Sequence, residues 1–420
     1  MANNNCKFYK VVRQVSYDSG VTWVNIGETQ KGELYEYDSA ECGSVTQYRW
    51  VDVPGSYTCV GTTKYQKTKK QYSMDGTTWS DVSPAEYGKG QVLEYMSVDC
   101  GYDPTYANEY LTFIPRTAGN FKFLSYRGTT VGSTHSVINT VSYSLDGGSN
   151  WTVLPSETYT PVVQAGQKIM WKGNFTPNFR FGSDGTLNSF RSNCEFDVEG
   201  NVMSLVYSDS FQGKTSLEGT RGILNDLFMS AKYLKSAENL ILPATTLGES
   251  CYDGMFAFCT GMTAPPTLPA TVMAKSCYTL MFASCESLTT APSLPATTLA
   301  PSCYSGMFDG CSGLTTAPEL PATTLANYCY STMFQSCTSL TSAPDLSATT
   351  LAEYCYSQMF RYCTNLNYIK CLATNISAAG CTLDWVYGTS QTGTFVKDAN
   401  MNNWTRGSSG IKANWTVQNA

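Results

Sequence analysis

At 420 residues the chain exceeds what one ordinary core fills, so two to four domains are expected. Only 14 % of residues are charged, against roughly 25 % in ordinary soluble domains, and Tyr (28), Gly (34), Ser, Thr and Asn take their place. A net charge of −6 argues against nucleic acid, whose phosphates need clustered Lys and Arg, and no stretch approaches the roughly 18 apolar residues of a membrane span.

The opening Met-Ala-Asn-Asn-Asn-Cys has neither the basic nor the apolar region of a secretory signal. The expectation is a protein that reaches the outside without one, as phage virion proteins do by host lysis. The first two hundred residues alternate Tyr, Val, Thr and Trp with turn residues, the pattern of β-structure. Two small β modules are expected, at 1–45 and 46–103. Each runs from a cysteine through paired strands to a Glu-Tyr-rich strand ending in Cys-Gly. Cys6 with Cys42 and Cys59 with Cys100 bracket these modules, and spacing alone does not decide between disulfides and free thiols. The basic run Lys64 to Lys70 alternates with Tyr and Gln as a solvated strand face does.

One short signature recurs three times, with Asp18 and Trp23, Asp75 and Trp79, and Asp146 and Trp151 at its ends, each Asp two residues after Ser16, Ser73 or Ser144. It resembles the Asp-box, S-x-D-x-G-x-x-W, of sialidases and many other β-proteins. Its chemistry is local: Asp accepts from turn N–H groups, Gly takes a positive φ, and Trp packs beneath the hairpin. These six residues are expected to be structural. The middle copy is one residue short.

Residues 104–206 are expected to form a β-sandwich, marked by Tyr110–Phe113, Phe121–Phe123, Val141–Tyr143 and Ala165–Trp171. Asp197 and Glu199 read as a solvated strand edge in preference to calcium ligands. Segment 207–241 is assigned to a linker and N-terminal cap, with Leu227-Phe228 opening a partial copy of the repeat unit.

From 242 to 371 a 26-residue block, L-P-A-T-T-L-A-x-x-C-Y-x-x-M-F-x-x-C-x-x-L-T-x-A-P-x, repeats five times, and 372–420 holds a degraded capping copy and tail. Cys251, Cys277, Cys303, Cys329 and Cys355 mark the period. At 100° per residue from Cys251, Met255 falls at about 40°, Cys259 at about 80° and Met262 at about 20°, which predicts a three-turn helix with one apolar face. Thr297 and Thr298 are the expected caps and Pro301 an early helical residue. Leu314–Pro321, with two prolines, is the expected extended piece. Cys251 and Cys259 would lie about 12 Å apart along that helix, beyond disulfide reach, and zinc lacks histidine partners, since His135 is the only one. The cysteines are therefore expected as buried free thiols. The row Tyr252, Tyr278, Tyr304, Tyr330 and Tyr356 is expected to pack with its hydroxyls reaching solvent.

This block resembles the leucine-rich repeats of the BspA family of bacterial surface proteins, through Phe308, Cys311 and Leu314 and again Phe334, Cys337 and Leu340. Over nearly its whole length the chain looks like proteins of gut Bacteroidales and of the phages that infect them, crAss-like phages included. The resemblance implies adhesion or ligand display. The expected fold is multidomain: N-terminal all-β modules and a β-sandwich, then an α/β leucine-rich-repeat-type solenoid.

One histidine, no Gly-rich phosphate loop and no framed carboxylate pair leave no catalytic constellation, cofactor or metal to expect. The expected role is that of a virion structural and adhesion protein, a head or tail fibre or capsid decoration, with a BspA-type adhesin on the bacterial cell surface as the alternative. Expected partners are other virion proteins at the N-terminal modules and a host protein or glycan at the repeats, with homo-oligomerisation left open. Positions that vary between repeats are the candidate contacts: Asp253, Asp309, Tyr328, Gln335, Tyr354 and Arg361.

Overall fold

A computed structural model describes residues 6–15, 24–37, 47–60, 63–73, 78–82, 85, 87–94, 104–126, 139–176 and 187–420. Cys42, Cys100, Asp18, Trp23 and Asp75 lie outside the described residues, so both cysteine pairings and two of the Asp-boxes do too. The chain divides into two compact units, Met1–Cys100 and Gly101–Ala420.

In the first unit β1 (Cys6–Val15) pairs antiparallel with β2 (Val24–Tyr37). A second antiparallel sheet is centred on β4 (Thr63–Ser73), which pairs with β3 (Gln47–Val60), β5 (Ser80–Asp81) and β6 (Tyr87–Glu94). The β3–β4 register slips between Asp52 and Tyr57, where Pro54 has no N–H to give and Gly55 takes φ 70°. Lys64 and Lys67 of the basic run lie over the Tyr57 and Tyr87 rings, and Arg49 lies 4.1 Å over Trp79.

The second unit opens with a six-stranded sheet in the order β10-β9-β11-β7-β13-β14. Its strands are β7 (Leu111–Pro115), β9 (Val141–Ser144), β10 (Thr152–Leu154), β11 (Ile169–Gly173), β13 (Phe196–Asn201) and β14 (Leu234–Ile241). All neighbours are antiparallel except β13 and β14. β8 (Phe121–Tyr126) and β12 (Leu187–Ser192) form a separate pair. The two sheets meet through rings: Phe113 of β7 lies 5.3 Å from Phe121 and 4.9 Å edge-on from Phe190. Glu199 is buried, with its carboxylate 2.6 Å from Lys168 Nζ, so it is an internal ion-pair member and not a solvated edge.

The third Asp-box turns between β9 and β10. Asp146 accepts from the Asn150 main chain (2.9 Å), the Asn150 amide and the Ser144 hydroxyl, which together hold its carboxyl down at about 2. Trp151 packs 4.8 Å from Tyr110 with Lys172 above it, so the box locks the hairpin to its sheet.

The repeats are not an α/β solenoid. The second unit is built of strands, bridges and turns, and the single α-helix among the described residues is Ser204–Tyr207, outside the repeats. Where the helix was expected, every fourth residue adopts a left-handed backbone: 250, 254 and 258, then 276, 280 and 284, and so on through 380, 384 and 388, with 222, 226 and 230 in the partial copy. A left-handed residue ends an α-helix, and three per block forbid one. The main-chain donors then divide. Cys251, Asp253, Met255, Ala257 and Cys259 donate within their own turn, to the carbonyl three residues back. Ser250, Tyr252, Gly254, Phe256 and Phe258 donate instead to Lys275, Cys277, Thr279, Met281 and Ala283 of the next block. Five such bonds of 2.6–3.1 Å recur at six successive junctions, tying the blocks into stacked tiers. Thr298 caps no helix and Pro301 opens none: Thr298 forms a parallel bridge to Thr324 of the next tier, and the Pro301 carbonyl accepts from the Ser276 N–H. The extended pieces of most tiers meet through isolated parallel bridges, such as Thr290 to Thr316. A three-stranded parallel sheet ends the stack: β15 (Tyr368–Cys371), β16 (Thr394–Lys397) and β17 (Thr416–Asn419).

Identical side chains therefore stack on one another in the interior. The five tyrosines stand 5.6–6.1 Å apart, and a phenylalanine column from Phe228 to Phe360 is parallel to within 7°. All five tyrosines are buried, and the Tyr252 and Tyr278 hydroxyls meet neither solvent nor a partner, contrary to the expectation from the helical angle. The twelve repeat cysteines are buried free thiols. Replacing Tyr278 by Phe removes an orphaned hydroxyl and is expected to leave stability unchanged or raise it by about 1 kcal/mol, whereas Tyr278→Ala opens a cavity costing about 3–5 kcal/mol; urea unfolding midpoints check both. Native protein is also expected to expose at most four of its 17 cysteines to an aromatic disulfide reagent, because thirteen are buried in the described residues; faster reaction of more than four contradicts the stacking.

Candidate functional site

The four-residue cycle decides which side chains face out. In the tier 354–363, Cys355, Tyr356, Met359, Phe360 and Cys363 are inward and buried, while Tyr354, Gln358, Arg361 and Tyr362 are not. The outward positions form the candidate contact face.

Tyr328 and Tyr354 stand one tier apart with rings 4.9 Å from each other and 8° from parallel. In the tier 354–363 the Arg361 guanidinium lies 4.9 Å over the Tyr362 ring and 5.4 Å over Tyr387 of the next tier, and Nη1 donates to Gln358 at 3.3 Å. Tyr362 and Tyr387 meet edge-on at 5.5 Å. One tier before Tyr328, Asp309 is half-buried, which raises its carboxyl, and Gln335 Nε2 reaches both its oxygens at 3.3 Å, opposing the rise. Five of the six expected contact residues thus lie together on the outward face of adjacent tiers. Gln358, Tyr362 and Tyr387 belong with them; Gln358 and Tyr362 share the left-handed position of the four-residue cycle and Tyr387 is the counterpart of Arg361 one tier on, a signal invisible to a helical reading.

Tyr328, Tyr354 and Tyr362 also carry a conformational cost. Their φ values are 58°, 51° and 62°, at columns where every other tier places Ser or Gly except for Phe258 in the column of Tyr362. A bulky side chain on left-handed backbone costs about 1–2 kcal/mol, so the tier junctions hold these rings in place against a local preference.

Asp253 is not on this surface. It is buried beside Asp226 of the partial copy, whose N–H donates to the Asp253 carbonyl at 2.9 Å. Burial pushes the Asp253 carboxyl up to about 8, with Asp226 adding to the rise. Burial lifts Asp226 to about 6 against the opposing pull of Arg191 and Asn225. Asp253 differs from its counterparts because it meets the atypical first tier, and that difference read as a surface signal.

The inward cysteines have a structural role. Cys259, Cys285, Cys311, Cys337 and Cys363 each donate S–H to the carbonyl of Phe228, Phe256, Phe282, Phe308 and Phe334 in the preceding tier, at 2.9–3.1 Å. Burial pushes the Cys259, Cys311 and Cys363 thiols up to about 12, so they stay protonated donors. The other column, Cys251, Cys277, Cys303, Cys329 and Cys355, is likewise fully buried and free, as expected of both. Among the described residues no three His, Cys, Asp or Glu side chains gather as metal ligands would, and no helix is long and apolar enough to cross a membrane. No protein-family model, curated protein or solved structure matches the chain.

The buried carboxyl pair sets a pH dependence. Both groups bind protons more tightly folded than unfolded, where carboxyls titrate near 3.8, so their contribution favours folding at low pH and is lost as pH rises through about 6 and then about 8. Between pH 8 and pH 5.5 the urea midpoint is expected to rise by on the order of 2 kcal/mol equivalent, and Asp253→Asn is expected to shrink that rise; a wild-type midpoint that falls over this range contradicts the assignment.

Proposed function

We propose that this chain is a virion structural and adhesion protein, a head or tail fibre or a capsid decoration, that displays its stacked tiers to a host surface. The observation that carries the reading is the division of each tier into two halves. The inward half repeats Cys, Tyr, Met, Phe and Cys, while the outward half changes from tier to tier, with Ser250, Ser276, Ser302, Tyr328, Tyr354 and Gly380 in a single column. A scaffold held by main-chain bonds and an unvarying interior leaves its outward positions free to diversify, the division of labour used by repeat proteins that bind surfaces. The low charge and abundance of Tyr, Ser, Thr and Asn suit contact with other surfaces better than handling of a charged metabolite.

In this reading the tiers meet a host-surface protein or glycan, and the unit Met1–Cys100 docks to other virion proteins. Immunogold labelling with antibody to the chain is expected to decorate purified phage particles, and the fluorescently labelled chain is expected to bind intact host cells. Label confined to the bacterial envelope, with none on particles, replaces the virion reading with that of a cell-surface adhesin.

A further inference from the structure

We propose that the outward face of the tiers 328–337, 354–363 and 380–388 is a binding site for a neutral glycan, centred on Tyr328, Tyr354, Tyr362 and Tyr387 with Gln358 and Arg361 between them. This rests on the adhesion reading and names its ligand. The rings are exposed, at 41 % for Tyr328, 43 % for Tyr362 and 47 % for Tyr387, although the two lower ones sit on backbone that resists bulky residues. Backbone held in such an unfavourable region is a mark of a functional surface when the side chain it presents gains no burial. The rings alternate with the half-buried Ser331, Thr332, Gln335 and Gln358, which break the apolar surface that a protein partner or membrane needs.

Charge selects among the remaining ligands. Among the described residues Arg361 is the one cation of this face, and its guanidinium is already spread over Tyr362, Tyr387 and Gln358. Asp309, Glu353 and Asp384 belong to these and the adjoining tiers, so a polyanion, whether nucleic acid or uronic-acid polymer, meets net repulsion. A neutral pyranose fits both chemistries present. Its C–H face lies on an aromatic ring, and its hydroxyls exchange hydrogen bonds with the Gln amides and the carboxylates. The sites recur one tier apart, which suits a polymer better than a single sugar.

The test is affinity electrophoresis of the full chain in native gels containing a neutral β-glucan, a galactomannan or an arabinoxylan, with polygalacturonate as the anionic comparison. At least one neutral polymer is expected to retard the wild type. Tyr328→Ala and Tyr362→Ala are each expected to weaken binding tenfold or more. Tyr328→Phe, which keeps the ring, and Leu280→Ala, on the same face two tiers away, are expected to retain it. Retardation by none of the neutral polymers, equal retardation of the Tyr→Ala variants with wild type, or tighter binding to polygalacturonate overturns the proposal. Host-cell labelling separates this from the broader reading. Labelling that survives periodate oxidation of surface glycans but not proteinase treatment leaves adhesion standing and removes the glycan; absence of labelling removes adhesion itself.

Discussion

The repeat half depends on how one stretch of backbone divides its N–H groups. With a left-handed residue at every fourth position, alternate donors close turns within the tier, and the others point along the stack to the next tier. An α-helix spends all its donors on itself and can meet a neighbour only through side chains. This ribbon keeps half for its neighbour, so each tier is bonded to the next by main chain, and the separation between tiers is set by hydrogen-bond length. Fifteen of the left-handed residues are not glycine, and each opposes its own preference. No single turn is stable under those terms. The conformation persists because five inter-tier bonds per junction, and the rings beneath them, are lost together if one tier relaxes.

A fixed separation between tiers explains the interior. Rings locked one tier apart stack nearly parallel, as Phe256, Phe282 and Phe308 do, and each interior column keeps one residue type through the regular tiers. Cysteine fits where valine would crowd, and it adds an S–H donor to a phenylalanine carbonyl. The same closure is unforgiving to polar groups, which is why the Tyr252 and Tyr278 hydroxyls are left without partners and why the Asp226–Asp253 pair titrates so far from the ordinary carboxyl range. That pair sits where the regular tiers begin, against a first tier with its own sequence.

The period of 26, the buried free cysteines of both columns and the β character of the first half could all be read from residue spacing. The repeat's local conformation could not, because apolar pairs at Cys251-Tyr252, Met255-Phe256 and Cys259 recur every four residues, close to the 3.6 of a helix. On a helical wheel they drift by about 40° per step, which reads as a broad apolar face; a strict period of four means a square turn. Gly306 and Gly310, four apart, were the visible trace of it, but Leu280, Tyr328 and Gln358 occupy the same backbone and hide it. Tertiary bonding overrode local preference there. The contact face was partly legible because tier-to-tier variation marks outward positions, and it misled at Asp253, where variation reflects an unusual neighbour.

One steric rule links outward residues of adjacent tiers. A bulky side chain on a left-handed position leans over the same position of the next tier, and that position is often glycine. A Cβ at Gly306 would stand 2.6 Å from Leu280, at Gly380 2.3 Å from the Tyr354 ring, at Gly388 2.7 Å from the Tyr362 ring, and at Gly254 2.5 Å from Asp226. These glycines therefore do two things, accepting positive φ and making room for the residue behind them. Where the next position is not glycine the contact changes, as at Tyr328, whose ring lies flat on Tyr354 in place of bare backbone. Outward diversity is thus constrained in pairs along the stack, and the run Tyr328, Tyr354, Gly380 reads as one arrangement: two stacked rings resting on the main chain of the third tier.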